Sequence, residues 1–286
     1  MKNKVIAVVG ATASGKTAYA VELAKNINGE IISADSRLVY KGMDIGTAKP
    51  SLEERQGIPH YMIDIVEPEC EFSAGLWAKQ AKECLNDILA RGKTPVVAGG
   101  TGLYFKILLE NYNLPDIEPD WNLRKELAEL PFEELNRILL SLDESAFVEQ
   151  NDKKKAIRYI EVLKSTGKTL RQSRGKGDVE YDVEWIGLNF PREELYQRIN
   201  KRVDLMMKAG LVEETEKLIK KHGKISNIVD TIGYREIIAA LDGKVSMAEA
   251  VEKLKQNTSN YAKRQLTWFR KNPDINWNCY PDKKKK

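Results

Sequence analysis

A motif that could hold phosphate groups lies close to the start of the chain. Residues 10–17 match the pattern G-x-x-x-x-G-K-[S/T] and comprise Gly10, Ala11, Thr12, Ala13, Ser14, Gly15, Lys16 and Thr17. The motif follows an apolar stretch at 4–9, which predicts a strand, and opens a predicted helix at 16–27. Backbone N–H groups in such a loop surround phosphate oxygens, and the helix N-terminus adds partial positive charge. The context favours a P-loop over a chance match in a glycine-rich turn, with Lys16 on the outer phosphate and Thr17 as a Mg²⁺ ligand.

Two further polar side chains are expected at the same edge of the sheet. Asp35 follows a predicted strand at 30–33, and Thr101 follows another at 94–98 before a predicted helix at 101–109. The carboxyl ends of parallel strands line the ligand crevice of an open α/β sheet. A carboxylate there can accept a proton, and a hydroxyl can meet a phosphate. The alternatives are an Asx-turn at Asp35 and simple helix capping at Thr101.

A P-loop does not by itself identify the molecule that carries the phosphate. ATP or GTP is usual, and proteins that use them commonly place an Asp after a later strand to hold Mg²⁺. The strand at 94–98 is followed instead by Gly99-Gly100-Thr101-Gly102. A small-molecule kinase therefore stays an alternative, because Asp35 would suit a kinase as well.

The order of predicted elements indicates one α/β domain interrupted by helices. A third strand is predicted at 60–66, and a helix at 73–90 with Ser73 as its N-cap. A linker is predicted at 113–120, helices at 121–167, a polar loop at 169–181 and a strand at 183–189. Helices up to residue 272 and a strand at 275–280 follow. The fold class is thus α/β, with a P-loop NTPase-like parallel sheet core (1–118 and 182–286) and an all-helical insertion (119–181).

Composition excludes several classes of protein. Of 286 residues, 42% are hydrophobic and 31% charged, which suits a water-facing surface around a full core. No apolar run approaches the ~20 residues of a membrane span, and no signal-peptide pattern is present, so a cytoplasmic protein is expected. The three cysteines and two histidines have no zinc-binding spacing, and reduced thiols are expected.

Two predicted helices carry basic residues on one face. On a helix over 257–271, Lys263, Arg264 and Arg270 lie opposite Ala262 and Phe269. In the insertion, Lys154 and Arg158 lie one turn apart, opposite Ala156 and Ile160. Such stripes suit the phosphates of a nucleic acid, and ordinary solvated faces are the alternative. Trp268 is expected in the core rather than at a stacking surface.

Taken together, these segments resemble the tRNA dimethylallyltransferase family. The resemblance is carried by residues 10–17, 35–50, 60–68, 99–104, 151–158, 233–236 and 263–268, and it spans residues 4–277. The block 41–50, Lys-Gly-Met-Asp-Ile-Gly-Thr-Ala-Lys-Pro, is the most specific, since a generic P-loop protein has no need of it. Two departures are Ala11, where a proline is common, and Leu38, where many members have glutamine.

The resemblance implies transfer of a dimethylallyl group from its diphosphate to the exocyclic amine of an adenine next to the anticodon. The P-loop and Arg202 would hold the diphosphate with Mg²⁺, Asp35 would be the general base, and Thr101 would donate to the leaving oxygen. The insertion would grip the anticodon stem-loop of the tRNA, and the protein would be a monomer without a zinc finger. The implied tRNA contacts are Asp35, Ser36, Arg37, Leu38, Thr101, Arg124, Lys154, Lys155, Ala156, Ile157, Arg158, Lys263, Arg264 and Arg270. Prenyl transfer to a free adenine nucleotide is a further alternative.

Overall fold

A computed structural model describes residues 2–115, 117–170, 172–173 and 175–278. The strands are β1 (Asn3–Gly10), β2 (Gly29–Ala34), β3 (His60–Tyr61), β4 (Thr94–Gly99), β5 (Tyr112–Asn113), β6 (Gly175–Lys176), β7 (Tyr181–Leu188) and β8 (Asn276–Asn278). The first six helices are α1 (Lys16–Asn26), α2 (Leu52–Arg55), α3 (Ala74–Ala90), α4 (Gly102–Leu109), α5 (Trp121–Glu129) and α6 (Phe132–Leu142). The others are α7 (Lys153–Thr166), α8 (Arg192–Lys208), α9 (Leu211–His222), α10 (Ser226–Val229), α11 (Tyr234–Leu241) and α12 (Met247–Phe269).

A parallel sheet of six strands, in the order β3-β2-β4-β1-β7-β8, forms the centre of the larger unit. Five consecutive residues of β1, from Val5 to Val9, are buried, as expected for a strand covered by helices on both faces. The register pairs Val9 of β1 with Gly99 of β4, and Gly99 with Ala34 of β2. The carboxyl ends of three strands therefore meet at one edge, which confirms the predicted fold class.

Strand β3 is shorter than the sequence predicts. The prediction of a strand over 60–66 is wrong beyond Tyr61, because Met62 and Asp64 have φ of 65° and 57°, outside the extended range. The chain instead pairs with the segment after β2, where the N–H of Asp64 donates to Leu38 O at 3.0 Å. An isolated parallel bridge joins Tyr40 to Val66.

The inserted unit comprises Glu110–Val179, whereas the larger unit comprises Met1–Leu109 and Glu180–Lys286. Helices α5, α6 and α7 pack around a core of Leu135, Leu139 and Ile160, which confirms helices over 121–167. The predicted linker and polar loop contain a short antiparallel ladder between β5 and β6. The unit thus begins at Glu110, nine residues before the boundary predicted at 119, and the ladder at 112–113 places the start of the linker inside it.

The C-terminal helices position the site, and the longest of them begins earlier than 257. Helix α12 starts after Ser246, whose hydroxyl accepts from Glu249 N at 3.2 Å while the Glu249 carboxylate accepts from Ser246 N. Strand β8 ends at Asn278, and the predicted strand residues 279–280 and the lysine tail 283–286 lie outside the described residues. Within the described ranges, no helix is both long and apolar enough to cross a bilayer.

Candidate functional site

The loop between β1 and α1 has the backbone conformation of a phosphate cradle. Gly10, Ala13 and Gly15 have φ of 149°, 61° and 82°, so successive N–H groups turn toward one side. A Cβ on Gly10 would lie 2.4 Å from the Leu188 carbonyl oxygen, so only glycine fits there. The hydroxyl of Ser14 is buried and has no hydrogen-bond partner in the described structure. A buried donor without a partner suits an incoming anion.

Three cationic side chains converge on this loop. Lys16 Nζ donates to Ala11 O at 2.6 Å, and Arg202 Nη1 donates to Thr12 Oγ1 at 3.0 Å. Arg198 Nε donates to Ala13 O at 2.8 Å from the same face of α8. Burial and then the nearby Arg202 guanidinium lower the pKa of Lys16 to about 7, although Asp35 opposes this shift. Lysine and arginine side chains outnumber carboxylates among the residues that line this site, which favours an anionic ligand.

Asp35 and Thr101 come together at the ends of β2 and β4. Thr101 Oγ1 accepts from Ser36 N at 3.1 Å, and Thr101 N donates to Ala34 O at 3.0 Å. The hydroxyl oxygen of Thr101 thus accepts a bond from across the sheet edge, which leaves its proton able to donate to a ligand. Asp35 Oδ1 accepts from Arg37 N at 2.8 Å, which is the Asx-turn geometry and occupies that oxygen only.

Gln265 of α12 joins the two halves of the site and was missed by the sequence analysis. Its Oε1 accepts from Thr12 N at 2.8 Å, and its Nε2 donates to Gly100 O at 3.0 Å. A Cβ on Gly100 would lie 2.0 Å from Gln265 Nε2, so the amide fills the space that this glycine leaves. One buried side chain therefore fixes the P-loop relative to the turn that carries Thr101.

The specific block at 41–50 forms a loop held by Glu214. Its carboxylate accepts from Ile45 N at 2.8 Å, from Gly46 N at 2.9 Å and from the Tyr234 hydroxyl at 2.6 Å. The ammonium of Lys49, only 4% exposed, pairs with Asp44 and Asp64. The same loop also contacts α8, because Arg202 Nη2 donates to Ala48 O at 3.4 Å. The loop is thus a fixed wall facing the P-loop.

These elements enclose a cleft of about 1390 Å³ within the larger unit. Asp35, Ser36, Arg37 and Leu38 line it, together with Lys16, Thr17 and Arg202. Thr17 is exposed at the start of α1. The described residues contain no cluster of three or more His, Cys, Asp or Glu side chains able to hold a metal. A Mg²⁺ ion here would take Thr17 as a protein ligand and complete its shell with phosphate oxygens and water, which is its usual habit.

The basic face of α12 is exposed, as a nucleic-acid contact requires. Lys263, Arg264 and Arg270 are exposed, whereas Ala262 and Phe269 are buried. Arg264 also lines the cleft. The expectation for Trp268 is wrong: its side chain is 44% exposed, because only one edge packs, against Gly102.

The basic residues of the insertion have a different environment. Glu161 is fully buried, and its carboxylate accepts two bonds from Arg124, at 2.9 and 2.8 Å, and one from Arg158. Ala156 is 0% and Ile157 9% exposed, so these two side chains pack in the core of the insertion rather than face solvent. Lys154 is exposed, and Lys155 N donates to the Asp152 N-cap at 3.1 Å.

The parallel sheet and the loop at 10–17 define an α/β protein of the P-loop class. Residues 38–272 match the model of the IPP transferase family. The chain is 46% identical over 285 residues to a tRNA dimethylallyltransferase of Acetivibrio thermocellus, covering 96% of this chain and 91% of the relative. The chain belongs to the IPP transferase family.

Solved structures agree with this assignment. A tRNA delta(2)-isopentenylpyrophosphate transferase from Staphylococcus epidermidis matches with a TM-score of 0.72 and 44% identity, over 97% of this chain and 93% of that one. A eukaryotic dimethylallyltransferase, solved acting on tRNA, matches with a TM-score of 0.84 and 28% identity, over 97% of this chain and 74% of that one.

Proposed function

We propose that this protein transfers a dimethylallyl group from dimethylallyl diphosphate to the N6 amine of an adenosine next to the anticodon of tRNA, releasing diphosphate. The observation that carries the proposal is the placement of Asp35 and Thr101 after two paired strands, where Ser36 N donates to Thr101 Oγ1 at 3.1 Å, beside a P-loop in a cleft whose lining has more cations than carboxylates. At this edge of the sheet, a carboxylate can accept a proton from the attacking nucleophile, and a hydroxyl can donate a hydrogen bond to the leaving group. Similarity to the family supports this choice of substrates.

The reaction is an in-line displacement at the allylic carbon. The exocyclic amine of adenine is a poor nucleophile, because its lone pair is delocalised into the ring. Asp35 accepts a proton from that nitrogen as the new C–N bond forms. Thr101 donates to the bridging oxygen, on which negative charge builds as the C–O bond breaks, and Lys16 and Arg202 bind the rest of the diphosphate.

The remaining features of the proposal concern the metal, the RNA and the surroundings. Thr17 would hold Mg²⁺ against the diphosphate, and the ion would neutralise charge on the leaving group. The anticodon loop would place its adenine in the cleft more easily than a duplex could, because a loop base is already partly unstacked. The exposed Lys263, Arg264 and Arg270 of the C-terminal basic face and the exposed Lys154 of the insertion would contact the tRNA, whereas Ala156 and Ile157 are core residues and Arg124 and Arg158 are paired with Glu161. The protein would act as a cytoplasmic monomer.

The single most decisive experiment is incubation with dimethylallyl diphosphate and total tRNA, followed by mass analysis of the nucleosides. We expect one adenosine per modified tRNA to gain the mass of a C5H8 unit. The same assay with AMP in place of tRNA tests transfer to a free nucleotide. Hydrolysis or transfer of the γ-phosphate of ATP, with no prenylated adenosine, would overturn the proposal in favour of a kinase.

A further inference from the structure

The exposed indole of Trp268 lies directly beside the catalytic turn. A Cβ on Gly102 would lie 2.1 Å from Trp268 Cδ1 and 2.2 Å from Nε1, so the edge of the ring rests on the residue after Thr101. The rest of the side chain is open to solvent, with 44% of it exposed. The ring is therefore anchored at one edge and presents a surface next to the site.

Trp268 also continues a row of α12 that faces the cleft. Tyr261, Gln265 and Trp268 follow one another at helical spacing, and the first two line the cleft. Gln265 bonds to Gly100 O, and Trp268 rests on Gly102, one turn further along the helix. The indole thus lies just beyond the rim of the cleft, on the side of Thr101.

The surroundings of the ring are cationic rather than apolar. Lys263 and Arg264 are exposed on the adjacent turn of the helix, and Lys271 is exposed just after its end. Within the described span of α12, no other large hydrophobic side chain is exposed, so this helix does not extend the indole into a wider apolar patch. A protein partner would be expected to meet such a patch. An isolated aromatic ring flanked by cations suits single-stranded nucleic acid, whose bases stack while its phosphates meet the charges.

We infer that Trp268 is a stacking surface for an unpaired nucleobase adjacent to the reacting adenine. This inference rests on the proposed function, and it identifies a residue that positions the RNA. When the target adenine enters the cleft, its neighbour loses a stacking partner. The indole replaces that partner at the rim and holds the loop open while Asp35 and Thr101 act.

The test is a binding cycle between Trp268 variants and an anticodon stem-loop RNA in which each loop nucleotide in turn is abasic. Trp268→Ala should weaken binding of the intact RNA about 5- to 150-fold, the range for one base–aromatic stack. Trp268→Phe should retain most of the affinity, whereas Trp268→Leu should lose it. At one loop position next to the target, the abasic RNA should bind the wild type and Trp268→Ala equally well.

Controls separate stacking from loss of structure and from failure of the proposed function. The affinity for dimethylallyl diphosphate should be the same in all Trp268 variants, and Gln256→Ala, on an exposed part of α12, should bind the intact RNA like the wild type. Equal RNA binding by Trp268→Leu and the wild type, or absence of coupling at every loop position, would overturn the inference. Failure of the wild type to prenylate the intact stem-loop would instead count against the proposed function.

Discussion

Two groups of arginine and lysine side chains lie partly buried in this protein, and they differ in what neutralises them. In the insertion, Arg124 and Arg158 share the buried carboxylate of Glu161, which also accepts from Asp120 N at 2.8 Å. In the cleft, Lys16 and Arg202 bond to a backbone carbonyl and a hydroxyl, and the pKa of Lys16 falls to about 7. The two arginines of the insertion are neutralised by a carboxylate, whereas the two cations of the cleft bond to neutral groups and can still bind an anion. Substitutions should therefore cost stability in the insertion and function in the cleft.

The largest effect is expected at Asp35. Asp35→Ala removes the base but leaves the diphosphate cradle whole, so the chemical step should slow by ~10²–10⁴-fold. The melting temperature and the donor affinity should change little. Single-turnover rates with saturating donor and tRNA measure the step.

Thr101→Ala is the matched comparison for that prediction. It removes one hydrogen bond to the leaving oxygen and should cost ~10²–10³-fold in rate. A donor with a more acidic diphosphate analogue needs less of that help, so it should partly rescue Thr101→Ala but not Asp35→Ala. Equal rescue of both variants would mean that the two residues do not have separate roles.

Glu161→Gln should have the opposite pattern. It leaves the two guanidinium groups without a buried partner, which typically costs about 3–5 kcal/mol of the free energy of unfolding. Denaturant unfolding measures this loss, and donor affinity of the folded protein should be unchanged. Glu134→Gln is the control, because its pair with Arg137 is largely exposed and should contribute about 0–1 kcal/mol. Equal stability losses in the two variants would remove the distinction between the regions.

Lys16 is expected to take up a proton when the diphosphate binds. The anion raises the pKa of the ammonium from about 7, so at pH 8 binding should consume up to one proton. Calorimetry in buffers of different ionisation enthalpy detects this uptake, and Lys16→Met should abolish it. An identical uptake in Lys16→Met would assign the proton to another group.

The lowered pKa of Lys16 also predicts how the stability of the ligand-free protein depends on pH. Because the folded pKa is lowered to about 7 from 10.5, the unfolded chain binds one more proton between these values. The contribution of Lys16 to stability should therefore rise with pH from about 7 to 10.5. The difference in unfolding free energy between wild type and Lys16→Met should follow that trend. A difference that does not vary with pH would contradict the lowered pKa.

The smallest effects should come from single charges that contact RNA phosphates. Lys263→Ala and Arg270→Ala should each lower the slope of log affinity against log salt by about one unit. Arg158→Ala should instead reduce the stability of the protein, because its guanidinium is committed to Glu161. Binding of an anticodon stem-loop at several salt concentrations provides the slopes. A full unit lost in Arg158→Ala would show that the insertion also supplies charge to the RNA.

The sequence alone predicted the features that depend on short segments. The P-loop, the strand–helix alternation and the Ser73 N-cap each need only neighbouring residues, and the structure confirms the elements. The sequence also predicted that Asp35 and Thr101 lie at the same edge of the sheet, because parallel strands bring their carboxyl ends together there.

What could not be predicted depends on contacts between distant residues. Gln265 lies 253 residues from Thr12, and an amide within a basic helix has no sequence signature of its role. Periodicity placed Arg158 on a polar face but could not show that the carboxylate of Glu161 turns inward beneath it. The predicted length of strand β3 was wrong because Met62 has a positive φ, which methionine rarely adopts and which the sequence therefore does not indicate.

The bridge made by Gln265 also bears on the order in which the protein is made. The P-loop is synthesised before α12, and Gln265, whose amide accepts from Thr12 N, is added 253 residues after Thr12. At usual rates of synthesis that interval is roughly 10–50 s. During this time the nascent chain has a phosphate loop without its brace to the Thr101 turn. The catalytic arrangement is thus completed only as α12 emerges, when five of the six strands of the sheet have already been synthesised and only β8 remains.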